Sequence, residues 1–146
     1  MKVSIILPTY NEVENIVYLV RAIDIVVQDY KEILVVDDNS PDGTSSAVQD
    51  LIDTKEIPNL RLITRLHNRG LTNSIWDGIT HAQGDIVVWL DCDFSMPPEV
   101  IPKLIAEIDS GYDVAVASRF VEGGSFKKDT EGTKDSWVAV ILSRLM

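Results

Sequence analysis

Apolar and polar positions alternate along this chain in two distinct periods. Five short runs are apolar on both faces: VSIILP (3–8), EILVVDD (32–38), LRLITR (60–65), DIVVWLD (85–91) and DVAVASR (113–119). Runs of that length and β-branched content are expected to be buried strands. Helical spacing fills the gaps. After Pro8, Asn11 with Glu14 three residues on has the form of a capping box, and Val13, Ile16, Val17, Val20 and Ile23 repeat at helical intervals. Further helices are expected from about Thr44 to Asp53, over 72–82, and over 98–110 with an end near Gly111. Trp76 and Trp89 read most simply as core residues.

Strands apolar on both faces and alternating with helices predict an α/β domain, a mostly parallel sheet covered by helices on both sides. One domain over residues 1–146 is expected, with no internal repeat. The polar, Gly-rich stretch EGGSFKKDTEGTKDS (122–136) reads as a mobile loop whose Lys127, Lys128 and Lys134 are solvated, and WVAVILSRLM (137–146) as a short final helix.

Composition narrows the choice of partner. A 45% hydrophobic, 25% charged chain of net charge −10 and pI ≈ 4.5 argues against a nucleic-acid backbone, which requires clustered Lys and Arg. An anionic small ligand would need a metal, a helix N-terminus or a few placed cations. The single cysteine, Cys92, excludes an internal disulfide framework and fits a reducing, cytoplasmic compartment. The apolar start is too short for a signal peptide, and no run approaches the ~20 apolar residues that span a bilayer.

In open parallel sheets ligands bind outside the carboxyl ends of the strands, and the unusual polar residues collect there. The first strand ends in Pro8, Tyr10 and Glu12, the second in Asp37 and Asp38, the fourth in Asp91 and Asp93, the fifth in Ser118 and Arg119. Two adjacent carboxylates stay ionised cheaply only beside a cation, and hard oxygen ligands suit Mg²⁺ or Mn²⁺. Placed after an apolar strand and before PPE, Asp91 and Asp93 are read as a metal pair rather than solvated surface acids. Tyr10 either stacks on a base or packs over the first helix; Arg119 either meets a phosphate or forms a surface ion pair. Cys92 reads as a small buried hydrophobe, and His67 and His81 lack ligand partners at suitable spacing. Within VVDDNSPDGT, Asp37 either satisfies turn donors or contacts a ligand. ILVVDDN also has the look of a phospho-receiver strand, but it is the second strand here and SIILPTYNE has no place in that scheme.

Taken together, VSIILPTYNEVENI, ILVVDDNSPDGT, RGL, WDGITHAQGDIVVWLDCDFSMPPEVIPKLI and DVAVASRFVEGG resemble the family 2 glycosyltransferases of GT-A fold, specifically the polyprenyl-phosphate sugar synthases of dolichyl-phosphate mannose synthase type. The resemblance implies a GT-A, Rossmann-like sheet. Pro8, Tyr10, Glu12, Val36 and Asp38 would surround the donor nucleoside, and Asp91, Cys92, Asp93, Ser95 and Arg119 would follow the donor into the reaction centre. Asp91 and Asp93 would hold Mg²⁺ or Mn²⁺ against the diphosphate, and Arg119 would steady phosphate groups, making these three the catalytic set. The implied activity is inverting, metal-dependent transfer of a hexose from a nucleotide sugar, GDP-mannose first and UDP-glucose as the alternative, to a polyprenyl or dolichyl phosphate at the cytoplasmic face of a membrane.

Some positions depart from that pattern. The usual GLG-x-A reads GLTNS, with Thr72 in place of a glycine; Ser95 stands where a longer Gln is common; a Trp-Arg pair is replaced by Val138-Ala139. The family's catalytic domain runs further, so the chain is expected to be its N-terminal part, with 137–146 as an interfacial amphipathic helix. Another family 2 transferase acting on a glycan, or a nucleotide-binding fragment that transfers nothing, are the alternatives.

Overall fold

A computed structural model describes residues 1–28, 31–118 and 139–143, the last stretch in its backbone only. The chain runs β1 (Val3–Thr9), α1 (Ile16–Val26), β2 (Lys31–Asp37), α2 (Thr44–Asp53), β3 (Leu60–Thr64), α3 (Leu71–His81), β4 (Ile86–Trp89), a 3₁₀ turn over Pro98–Val100 leading into α4 (Ile101–Asp109), then β5 (Val114–Ala117) and β6 (Ala139–Ser143). They form one sheet in the order β3-β2-β1-β4-β6-β5. The first four strands pair in parallel, so the α/β expectation holds.

All seven residues of β1 are buried, because helices cover both of its faces. Ile5, Leu7, Ile33, Val35 and Val88 share a core with α1, α2 and α4. Ile6, Leu34, Val36 and Val87 face the other way, with Ile79 of α3 packed against them. That second layer is thin and depends on close approach: a Cβ on Gly78 would stand 2.4 Å from Ile6 Cγ2, so only glycine lets α3 lie this near β1.

Three expectations are corrected. The helix expected from Asn11 begins at Ile16, and Asn11 takes a left-handed φ of 61°. Its neighbours' amides are used elsewhere, as described below. The final helix expected over 137–146 is at Ala139–Ser143 a strand, antiparallel to β4 (Trp89↔Val140) and to β5 (Val116↔Val140). A β-branched run beside two strands with unpaired ladder groups satisfies more backbone there than a single helical turn would. Trp76, expected in the core, is 64% exposed, since α3 meets the sheet through Ser74 and Gly78 instead. The expected loop over 122–136 lies outside the described residues. Among the described residues no helix is long and apolar enough to cross a membrane.

Candidate active site

β1 pairs with β2 on one side and β4 on the other, so the strand order reverses at β1. The carboxyl ends of β1 and β4 therefore flank the crevice where open α/β sheets bind ligands.

The loop after β1 is held open by the loop after β2. Asn11 N donates to Ser40 Oγ (2.9 Å), Glu12 N to Thr44 Oγ1 (3.0 Å) and Val13 N to Asp42 Oδ2 (3.1 Å). In a helix capped by Asn11 these amides would have had no intrahelical partner; here the loop after β2 supplies one for each, and the Asn11 amide goes to Ser40 rather than to Glu14. Asp42 in turn accepts from the Thr44 amide (3.0 Å) and hydroxyl (2.6 Å). Partial burial would raise its pKa, but these hydrogen bonds outweigh it and hold the carboxyl below its ordinary value. Asp37, buried, accepts from Thr9 Oγ1 (3.0 Å), the Ser40 amide (2.9 Å) and the Ser45 hydroxyl (2.7 Å). Of its two readings, the turn-satisfying one is the one the structure shows.

Asp38, buried, is one of the residues lining a cleft of ≈ 370 Å³, with Pro8, Thr9, Tyr10, Arg69, Gly70, Leu71 and Ser74. Its Oδ1 accepts from Arg65 Nη1 and from Ser74 Oγ (3.0 Å), and its Oδ2 from the Gly70 amide (2.6 Å). Gly70 has φ 126°, a backbone that L side chains rarely adopt, and this turn aims its N–H at Asp38. Arg65 is 6% exposed and reaches four ways: to Asp38, to Ser74 Oγ (Nη1, 3.0 Å), to Asp77 Oδ2 (Nε, 2.5 Å) and to the Asn68 carbonyl (Nη2, 2.6 Å). Burial works to lower its pKa, and the bonds to Asp77 and Asp38 more than reverse this, so the guanidinium stays charged.

The Asp-x-Asp segment is pinned to the same place from β4. Leu90 N donates to the Ile6 carbonyl (3.3 Å) and Cys92 Sγ to the Pro8 carbonyl (3.4 Å). Cys92 is thus buried, as its type suggested, while Asp91 is half-buried and Asp93 exposed. Burial, then the nearby charge of Asp93, pushes the Asp91 carboxyl above its ordinary value. A cation bound beside both carboxylates would favour their charged forms. Asp93 Oδ1 accepts from the Ser95 amide (2.8 Å), and Phe94 between them has φ 58°. Among the described residues no third His, Cys, Asp or Glu joins them as a ready-made metal cage. The donor set fits a hard divalent ion that takes its other ligands from water and phosphate, as Mg²⁺ commonly does.

The structure thus brings Pro8, Tyr10 and Asp38 to one cleft and Asp91, Cys92, Asp93 and Ser95 to the neighbouring loop. Glu12 stands between them half-buried, accepting from Asn15 Nδ2 (3.1 Å), and its charge, after burial, helps raise the Cys92 thiol. Val36 does not reach the cleft; its side chain is wholly buried under α3. Arg119 lies outside the described residues. Sequence reasoning gave no site role to Arg65, Arg69, Gly70 or Ser74, although Arg69 and Gly70 stand in RGL and Ser74 in GLTNS. Arg65 ends an apolar strand at this same edge, the signal used for the other residues.

Residues 4–144 match the family model described as glycosyl transferase family 2. The chain is 46% identical over 125 residues to a dolichol-phosphate mannosyltransferase of Pyrococcus furiosus, covering 85% of this chain and 35% of that protein. It is 38% identical over 151 aligned positions to an undecaprenyl-phosphate 4-deoxy-4-formamido-L-arabinose transferase of an Enterobacter species, covering 99% of this chain and 42% of that one. Among solved structures, the mannosyltransferase PcManGT of Pyrobaculum calidifontis, in complex with GDP-Man and Mn²⁺, superposes with a TM-score of 0.65 at 32% identity, over 80% of this chain and 34% of that one. The chain therefore spans well under half the length of the relatives it matches.

Proposed function

The chain belongs to glycosyl transferase family 2, and from that premise we propose that it forms the donor-binding part of an inverting glycosyltransferase. The proposed reaction moves a hexose from a nucleotide sugar to a polyprenyl or dolichyl phosphate at the cytoplasmic face of a membrane. Mannose from GDP-mannose is the leading donor, since both a mannosyltransferase relative and a GDP-Man-bound neighbour resemble this chain. UDP-glucose is the alternative. One observation carries the reading: the Cys92–Pro8 hydrogen bond seats Asp91 and Asp93 beside the cleft of Tyr10 and Asp38, at the point where the strand order reverses.

In this reading Pro8, Tyr10 and Asp38 receive the nucleoside, with Glu12 beside them, while Val36, buried under α3, supports the end of β2 that carries Asp38. Asp91 and Asp93 hold Mg²⁺ or Mn²⁺ against the diphosphate, and Cys92 and Ser95 fix the loop that presents them. Arg119, just past β5, is assigned to the phosphates. A divalent ion, when bound, offsets the negative charge that develops on a departing diphosphate. The chain's part is to hold both carboxylates on one side of the donor and leave the opposite side of the sugar open. A phosphate monoester acceptor, with a second pKa of about 6, is already anionic near neutrality, so the absence of a general base among these residues is no obstacle. Attack from the open side inverts the anomeric centre.

The test is transfer itself. Radiolabelled GDP-mannose or UDP-glucose is incubated with the protein, Mn²⁺ and polyprenyl phosphate in detergent, and label is followed into the organic phase. Transfer from one donor, lost in Asp91→Asn and Asp93→Asn, supports the reading; metal-independent transfer contradicts it.

A further inference from the structure

Asp38 has about four acceptor positions on its two oxygens. On Oδ1 both are taken, by Arg65 Nη1 and by the Ser74 hydroxyl (3.0 Å). On Oδ2 one is taken, by the Gly70 amide (2.6 Å). Ser74 Oγ also lies 3.2 Å from the Gly70 carbonyl, but its single proton favours the nearer, charged acceptor. What remains toward the cleft is one acceptor position on Oδ2.

We infer that Arg65 and Ser74 are positioning residues that restrict Asp38 to a single hydrogen-bond donor of the bound nucleoside, making Ser74 a determinant of base selectivity. The inference rests on the donor-site reading above. A carboxylate with one position free on each oxygen can pair with two adjacent N–H groups, as on the edge of guanine. One with Oδ1 filled accepts only one, such as the N3–H of uracil or a ribose hydroxyl. The caged Asp38 therefore draws no extra affinity from guanine.

Arg65 has the second half of the task. Its guanidinium, 5% exposed in the side chain, binds Asp38, Ser74 Oγ (3.0 Å), Asp77 and the Asn68 carbonyl at once, which ties the end of β2 to α3 and to the loop that carries Gly70. A lysine cannot make that fork. Asp38 would then be free to turn out of the cleft. Neither residue approaches the Asp91–Asp93 loop through any hydrogen bond described, so their effects should stop at the nucleoside end.

Dissociation constants for GDP, UDP and inorganic pyrophosphate, each with Mn²⁺, are measured by calorimetry on the full chain and on Ser74→Ala and Arg65→Lys. Ser74→Ala removes one hydroxyl and keeps the volume nearly unchanged. It is expected to shift the GDP-to-UDP affinity ratio toward GDP by about fivefold, the worth of one hydrogen bond, with pyrophosphate unchanged. Arg65→Lys is expected to weaken both nucleotides about tenfold or more and to leave pyrophosphate alone. An unaltered ratio in Ser74→Ala, or pyrophosphate falling in parallel with the nucleotides in Arg65→Lys, overturns the inference. A wild-type protein that binds pyrophosphate but neither nucleotide overturns the donor-site reading beneath it.

Discussion

The thiol of Cys92 donates to the carbonyl of Pro8 across 3.4 Å, joining the loop after β4 to the carboxyl end of β1. Burial, followed by the charges of Glu12, Asp91 and Asp93, raises the Cys92 pKa well above that of a free thiol. Only the thiolate reacts quickly. Cys92 should therefore resist Ellman's reagent at pH 8 in the native protein and react at once in denaturant. Fast native labelling would show that the loop opens and that Asp91 and Asp93 are not held as described.

The acid pair should make cation binding depend on pH. Asp91 titrates above its ordinary range through burial and then Asp93, so a divalent ion must displace a proton as pH falls through that raised value. Mn²⁺ affinity should drop across that interval, at higher pH than an unperturbed aspartate would give. The sign for stability follows. A carboxyl with a raised folded pKa favours the fold below its unfolded pKa and loses that contribution as pH rises through the folded one. Without cation, Asp91→Asn should leave the melting temperature at pH 7 unchanged or slightly higher, while abolishing the rise that Mn²⁺ produces in the wild type. Differential scanning fluorimetry with and without Mn²⁺ checks both.

At the opposite end of the sheet the sign reverses. Glu32, 1% exposed, accepts from Ser4 Oγ (2.5 Å), the Gln83 amide (2.5 Å) and Arg61 Nη1 (2.9 Å). Burial alone would raise its pKa; these donors overcome that and lower it. Its stabilisation is complete above the unfolded glutamate value of about 4.3 and fades as pH falls toward the lower folded one. Glu32→Ala strands buried donors and should cost about 1–3 kcal/mol at pH 7 by urea denaturation. The cost should shrink at acid pH, and a pH-independent cost would contradict the assigned ionisation.

The helix α3 should tolerate no side chain at Gly78. With a Cβ placed 2.4 Å from Ile6 Cγ2, Gly78→Ala must push the helix off β1, at about 1–3 kcal/mol. Because α3 carries Ser74, nucleotide affinity should fall together with stability. Equilibrium unfolding and calorimetry on the same variant decide this; an unchanged urea midpoint would contradict the packing described.

The sheet was largely legible in the sequence, because short β-branched runs apolar on both faces suit strands inside a covered sheet, as β1, β2 and β4 are; β5 departs, with Val114 and Val116 exposed. The acids at strand ends were legible for the same reason. Three features were hidden because they depend on distant partners. Asn11 and Glu14 have the pattern of a helix start, but Asn11 takes φ 61° and its amide goes to Ser40 rather than to Glu14, a contact visible only once β2 stands beside β1. The apolar run at 139–143 suits a short helix or a strand equally, and two neighbouring strands decide it. Arg65 gains its meaning from Asp38, Asn68, Ser74 and Asp77, which only the fold gathers around it.

The central claim is that Asp91, Asp93 and the Tyr10–Asp38 cleft form one donor site. Calorimetric titration of GDP-mannose and UDP-glucose, with and without Mn²⁺, on the wild-type chain and on Asp91→Asn and Asp93→Asn tests it most directly. Binding that requires Mn²⁺, prefers one donor and weakens at least tenfold in either variant is the expected result. Binding that is indifferent to the metal and to both substitutions would contradict it.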